Sequence, residues 1–97
     1  MEVKFIFNKP KGIKLCRSAS NREVKNISGI NAWYSYVDVI TYVNIARKGI
    51  KRYDNERLIN HFSKVIQHEG LHEAIHEITG KFATEKEEEI CEKICGV

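Results

Sequence analysis

From Arg57 through Thr79 no proline occurs, and apolar side chains recur at helical spacing: Leu58, Phe62, Val65 and Ile66, then Leu71, Ile75 and Ile78. Asp54 stands where an N-cap belongs, and Gly80 where a chain leaves a helix through a left-handed residue. Gly70 costs about 1 kcal/mol relative to Ala inside a helix, yet the pattern continues past it. In a chain of 97 residues one helix of this length leaves room for a single domain and one modest core.

The remaining segments arrange themselves around that helix. EVKFIFN, residues 2–8, alternates Val3, Phe5 and Phe7 with polar neighbours, which predicts a half-buried strand ended by Lys9-Pro10-Lys11-Gly12. Ser20-Asn21-Arg22-Glu23 has the form of a capping box, predicting a short helix from about 21 to 28 with Val24 and Ile27 inward, closed by Ser28-Gly29. Residues 32–47 are rich in β-branched and aromatic side chains. There Val37, Val39, Thr41, Val43 and Ile45 share one face at period two, predicting one or two strands. Thr84-Glu85-Lys86-Glu87 is a second capping box, opening a last helix with Ile90, Cys91 and Ile94 inward. The order is strand, helix, strand or strands, long helix, short helix: an α+β domain spanning 1–97.

Composition narrows the function classes. With 42% apolar and 30% charged residues the chain reads as folded and globular. No apolar run approaches the roughly 20 residues of a membrane-spanning helix. The segment MEVKFIFNKPKGIK has no long apolar centre, so the expected compartment is the cytoplasm. Three cysteines, Cys16, Cys91 and Cys95, are an odd number and argue against a disulfide framework; Cys16 and Cys91 read as small buried residues. Residues 1–53 hold eleven Lys/Arg against three Asp/Glu, whereas residues 54–97 hold five against ten. The basic half, with Trp33, Tyr34 and Tyr36 as stacking rings, is the basis for an alternative reading as a nucleic-acid-binding module. Mutual balance of the halves and strand packing are the simpler reading, so nucleic acid is not the expected partner.

The segment QHEGLHEAIHEITG, residues 67–80, carries the chemistry. It contains His-Glu-x-x-His in two overlapping frames, His68–His72 and His72–His76. Histidines four apart on a helix lie about 40° apart in rotation and ~6 Å in rise, so both imidazoles can meet one ion. The glutamate after the first histidine lies ~100° round, too far to ligate but placed to act as general base on a metal-bound water. The first frame is preferred because Val65 and Ile66 precede it, whereas Glu69 and Gly70 precede the second. His68 and His76 are ~12 Å apart in rise, so all three histidines cannot share one ion. A non-catalytic reading also exists: His61, His68, His72 and His76 share a broad helix face that can pick up metal.

A third ligand must come from elsewhere. A third histidine six residues beyond His72 would mark a metzincin, but Ile78 stands there; the same absence weakens a likeness to three-histidine endoribonucleases. In gluzincins a glutamate on a following helix completes the site, and residues 85–92, EKEEEICE, follow across Gly80. Thr84, Glu88, Cys91 and Cys95 form a stripe of small or carboxylate side chains, which makes Glu88 the choice and Glu87 the alternative. Tyr42, Tyr53 and His76 are weak candidates for stabilising an oxyanion.

His68-Glu69-x-x-His72, the downstream Glu88, the length and the order of elements together resemble the minigluzincins, small archaeal zinc metallopeptidases of the projannalysin and proabylysin kind. The resemblance spans nearly the whole chain, though only its metal motif is specific. It implies a zincin-like fold: a mixed three-stranded sheet, a backing helix, an HExxH active-site helix and a glutamate helix. It implies one zinc ion held by His68, His72 and Glu88, with Glu69 as base; a peptide or protein substrate would then pair along an edge strand from within residues 36–46. It also implies latency, with a C-terminal segment lying in the cleft; residues 91–97 are the candidate here, and separately Cys95 could offer a thiolate to the zinc. Self-inhibition through that segment and a homo-oligomer are both compatible with the sequence.

Overall fold

The computed structural model of the chain describes residues 1–6, 13–15, 22–24, 30–36 and 38–97, with 13–15 and 22–24 as backbone. Expectations for Phe7, the 9–12 turn, Cys16, Ile27, Ser28-Gly29 and Val37 fall outside the described residues. The alternating N-terminal segment builds β1 (Glu2–Ile6), followed by β2 (Ile13–Leu15) and β3 (Arg22–Val24). The β-branched and aromatic run gives two strands, β4 (Ala32–Ser35) and β5 (Ile40–Asn44), and then come α1 (Asn55–Thr79) and α2 (Glu85–Cys95).

The main sheet has the order β1-β5-β4. β1 runs parallel to β5, from Glu2 opposite Ile40 to Ile6 opposite Asn44. β4 runs antiparallel to β5, pairing Ala32 with Val43 and Ser35 with Ile40. The sheet is therefore mixed and three-stranded, as the family resemblance implies. The short helix expected over 21–28 is corrected: Arg22–Val24 is a strand, pairing antiparallel with Ile13–Leu15. A capping box is a local signal of order 1 kcal/mol, and pairing of the strand overrides it. Among the described residues no backing helix occurs.

Period two separates the faces of the sheet. Ala32 and Val43 meet Val65 of α1, with Val3, Ile45, Phe62, Ile66 and Val97 packed around them. Trp33, 1% exposed, points to the other face, where Ile6, Ile30 and Tyr42 surround it. Tyr34 and Tyr36 pack on Ala83 in the link between the helices. Truncating a ring as buried as Trp33 to Ala costs about 3–5 kcal/mol.

Val39 does not share the face of Thr41 and Val43 as expected. It sits in the turn between β4 and β5 at φ 56 and is half exposed. Asp38 N–H donates to Ser35 Oγ at 3.1 Å and Val39 N–H to Ser35 O at 2.8 Å, so the chain reverses within four residues.

Both helix starts follow the sequence signals. Asp54 accepts from Arg57 N–H, and Thr84 accepts from Glu87 N–H. Gly80 ends α1 at φ 68, and Gly96 ends α2 at φ 76, both left-handed positions that suit glycine. What each helix buries is less expected. α1 turns His61, Val65, His68, Glu69, His72 and Glu73 inward. α2 turns Cys91 and Cys95 inward, while Ile90 and Ile94, predicted to be inside, are 48% and 64% exposed, and Ile78 is 85% exposed. Ile90 and Ile94 line an outer groove with Leu71 and Ile75 instead.

A left-handed conformation at a β-branched residue costs about 1–2 kcal/mol, and Asn tolerates it. Val39→Asn is expected to raise stability by about 1 kcal/mol, read as a higher urea midpoint at unchanged slope.

Candidate metal centre

α1 sets His68 and His72 one turn apart on its buried face, with ring centroids 4.9 Å apart. The capped first turn of α2 faces them across the Gly80–Thr84 link. Glu88 Oε1 lies 3.0 Å from His68 Nε2, and Glu88 Oε2 lies 2.7 Å from His72 Nε2. One ligand atom from each of His68, His72 and Glu88 falls within 4.8 Å of the others, so this group can hold a metal ion. It is the first of the two motif frames that the fold brings together with a carboxylate.

The other ring nitrogens are also engaged. His68 Nδ1–H donates to Val97 O at 2.6 Å. His72 Nδ1–H donates to Glu87 Oε2 at 2.6 Å. Glu87, the alternative third ligand, is thus the outer partner of His72, and Glu88 takes the inner place. Acceptors on Nδ1 fix each ring's tautomer and rotation and turn Nε2 toward the shared space. Glu88 Oε2 reaches His72 Nε2 at 2.7 Å as a charge contact, on a buried nitrogen that makes no other hydrogen bond. Two imidazole nitrogens converging on one carboxylate suit a metal: two nitrogens and an oxygen make a donor set for a borderline divalent ion.

The electrostatics agree. His68 is raised from its ordinary value, first by the Glu88 hydrogen bond, against burial, with Glu69 and Val97 contributing. Burial pulls His72 down, but Glu88, Glu87 and Glu69 outweigh it and raise it to about 9. Without a metal, these carboxylates favour the protonated form of both rings. Glu69 is 6% exposed, and its charge acts on both imidazoles.

The remaining candidates lie elsewhere. His76 Nδ1–H donates to Lys81 O, and its ring stacks on Phe82. Tyr42 stacks on Trp33 on the sheet's far face and donates to Asp38. Tyr53 accepts from Arg47 beneath the Arg57 guanidinium, and it packs against His61, about two turns before His68. His61 is lowered, first by burial and then by Arg47 and Arg57. Cys95 is buried, lies outside the ligand group, and its thiol is pushed up by burial and by Glu69. Trp33, Tyr34 and Tyr36 are 1%, 2% and 9% exposed, so they offer no faces for base stacking. Two features escaped the sequence reading: the Val97 oxygen, and Tyr36, whose hydroxyl accepts from Ala83 N–H at 3.1 Å and pins the helix link to the sheet. Tyr36 is pushed up to about 12, chiefly by burial.

A cavity of about 160 Å³ adjoins the group, lined by Ile30, Asn31, Ala32 and Val65 beside His68, Glu69 and Glu88. Among the described residues no helix is long and apolar enough to cross a membrane. No protein-family model, no curated protein and no solved structure matches the chain.

The two raised imidazoles give the metal-free protein a defined pH response. His72 titrates near 6.5 when unfolded and near 9 when folded, so its contribution is full below pH 6.5 and lost as pH rises through 9. Chelator-treated protein is expected to show a higher urea midpoint at pH 6 than at pH 9.5. Metal-loaded protein is expected to reverse that trend, because metal displaces protons from the same nitrogens.

Proposed function

We propose that the chain is a zinc-dependent metallopeptidase of the gluzincin type, similar to the minigluzincins. The observation that carries the reading is the arrangement just described: His68 and His72 turn Nε2 toward Glu88, both Nδ1 atoms are held by acceptors, and Glu69 lies buried on the same helix. His68, His72 and Glu88 would hold the ion. Zinc bound there polarises a carbonyl and supplies a water acidic enough to react near neutral pH.

The chain's own groups do the rest. Glu69, one residue after the first ligand, takes the proton of the attacking water and delivers it to the leaving amine nitrogen. Its low exposure keeps bulk water from competing for that proton. Glu87 holds the His72 imidazole so that its ligand atom does not swing.

The substrate path differs from the sequence expectation. β5, within the predicted 36–46 segment, is the central strand and has no free edge. Its neighbour β4 is buried along its whole length, and β2 lies against it. A peptide side chain would instead enter through the cavity beside His68 and Glu69, whose walls mix apolar Ile30, Ala32 and Val65 with Asn31 and Glu92. Segment 91–97 forms the second half of α2 and its exit turn, and Val97 lines the cavity, so latency would act at this wall.

Glu69→Gln is expected to lower turnover of an unstructured peptide substrate by at least about 10²-fold, with one zinc per chain still bound. Loss of zinc in that variant would contradict the base role. Glu88→Ala is expected to lose both zinc and activity, and His76→Ala neither.

A further inference from the structure

α2 touches the two histidines from both of its ends. Its first turn supplies Glu87 and Glu88. Beyond its last turn the chain reverses at Gly96, φ 76 and ψ 11, with Gly96 N–H donating to Glu92 O. That reversal brings Val97 back against the sheet–helix core of Ala32, Val43 and Val65, and its main-chain oxygen meets His68 Nδ1 at 2.6 Å. We propose that the Val97 main-chain oxygen, presented by the left-handed turn at Gly96, is a positioning group for the metal ligand His68 and helps set the affinity of the site.

The chemistry is direct. A main-chain oxygen can only accept, so His68 Nδ1 must carry the hydrogen and Nε2 alone is left for a metal. Glu87 does the same for His72 with a side chain. The His68 partner is main chain, so no side-chain substitution at position 97 removes it; the turn that aims it can be changed. An added Cβ at Gly96 would meet only Lys64 Nζ, at 3.7 Å, which is ordinary contact. A β-branched residue there is opposed by φ, not by space.

The inference rests on the metal-holding part of the proposed function and not on peptidase activity. It is tested by zinc affinity, in competition with a chromophoric chelator, and by ¹⁵N NMR of the histidine rings in zinc-loaded protein. Wild type is expected to show a His68 Nδ1–H resonance in slow exchange with water. Gly96→Val is expected to weaken zinc about tenfold or more and to lose that resonance. Gly96→Asn, which accepts the left-handed turn, and Val97→Ala, which keeps the oxygen but loses packing, are expected to stay close to wild type. Wild-type affinity with the resonance intact in Gly96→Val would overturn the inference while leaving the metal site standing, as would equal weakening in Val97→Ala. Should Gly96→Val fail to fold, zinc on Nδ1 of wild-type His68 would overturn it, and a slowly exchanging Nδ1–H would support it. Wild type that takes up no zinc overturns both readings.

Discussion

Two imidazoles on one helix, gripped by two carboxylates from the next, decide how this small chain is assembled. Taking ionisable groups out of water is costly unless each finds a partner. His68 and His72, both 4% exposed, find theirs in Glu88 and Glu87. That pairing sets the rotation of α2 about its axis. With Glu87 and Glu88 turned toward α1, Cys91 and Cys95 follow on the same face and are buried. Ile90 and Ile94 are carried round to the outside. The helix hairpin thus buries imidazoles and carboxylates that ordinary amphipathicity would leave outside, while several of its isoleucines stay exposed.

The same grip explains why the second capping box is only half made. Thr84 caps α2 as its sequence implies. Glu87, which would reach back in a capping box, binds the buried His72 ring instead. A charge-assisted bond away from water is worth more than one to an exposed amide. Its place in the first turn also puts negative charge at the positive end of the helix.

Much of this was legible in the sequence. Asp54, Gly80 and Thr84 mark helix ends by chemistry that works locally, and all three act as read. Alternation in residues 2–6 and β-branching in 40–44 gave strands for the same reason. The meeting of His68 and His72 was legible because four-residue spacing on a helix is nearly a geometric statement. What could not be read depends on distant partners. Arg22–Val24 pairs with a strand nine positions upstream, and a helix start signal says nothing of that. Ile90 and Ile94 look like core by hydropathy, but the burial of a helix face is settled by what lies opposite, here imidazole. Val39 is β-branched and fits a strand pattern, yet Ser35 and Asp38 close a turn that forces it out. A main-chain acceptor such as Val97 has no signature in residue type at all.

The parallel pairing of β1 with β5 has a consequence for the order of assembly. Glu2 and Ile40 are partners thirty-eight positions apart, while α1 and α2 are joined by a link of five residues. Closing a long loop loses more chain entropy than closing a short one. The helical hairpin can therefore gather its histidines and carboxylates while the first strand is still free. Loop entropy alone would have the N-terminal strand dock late, onto a hairpin already formed.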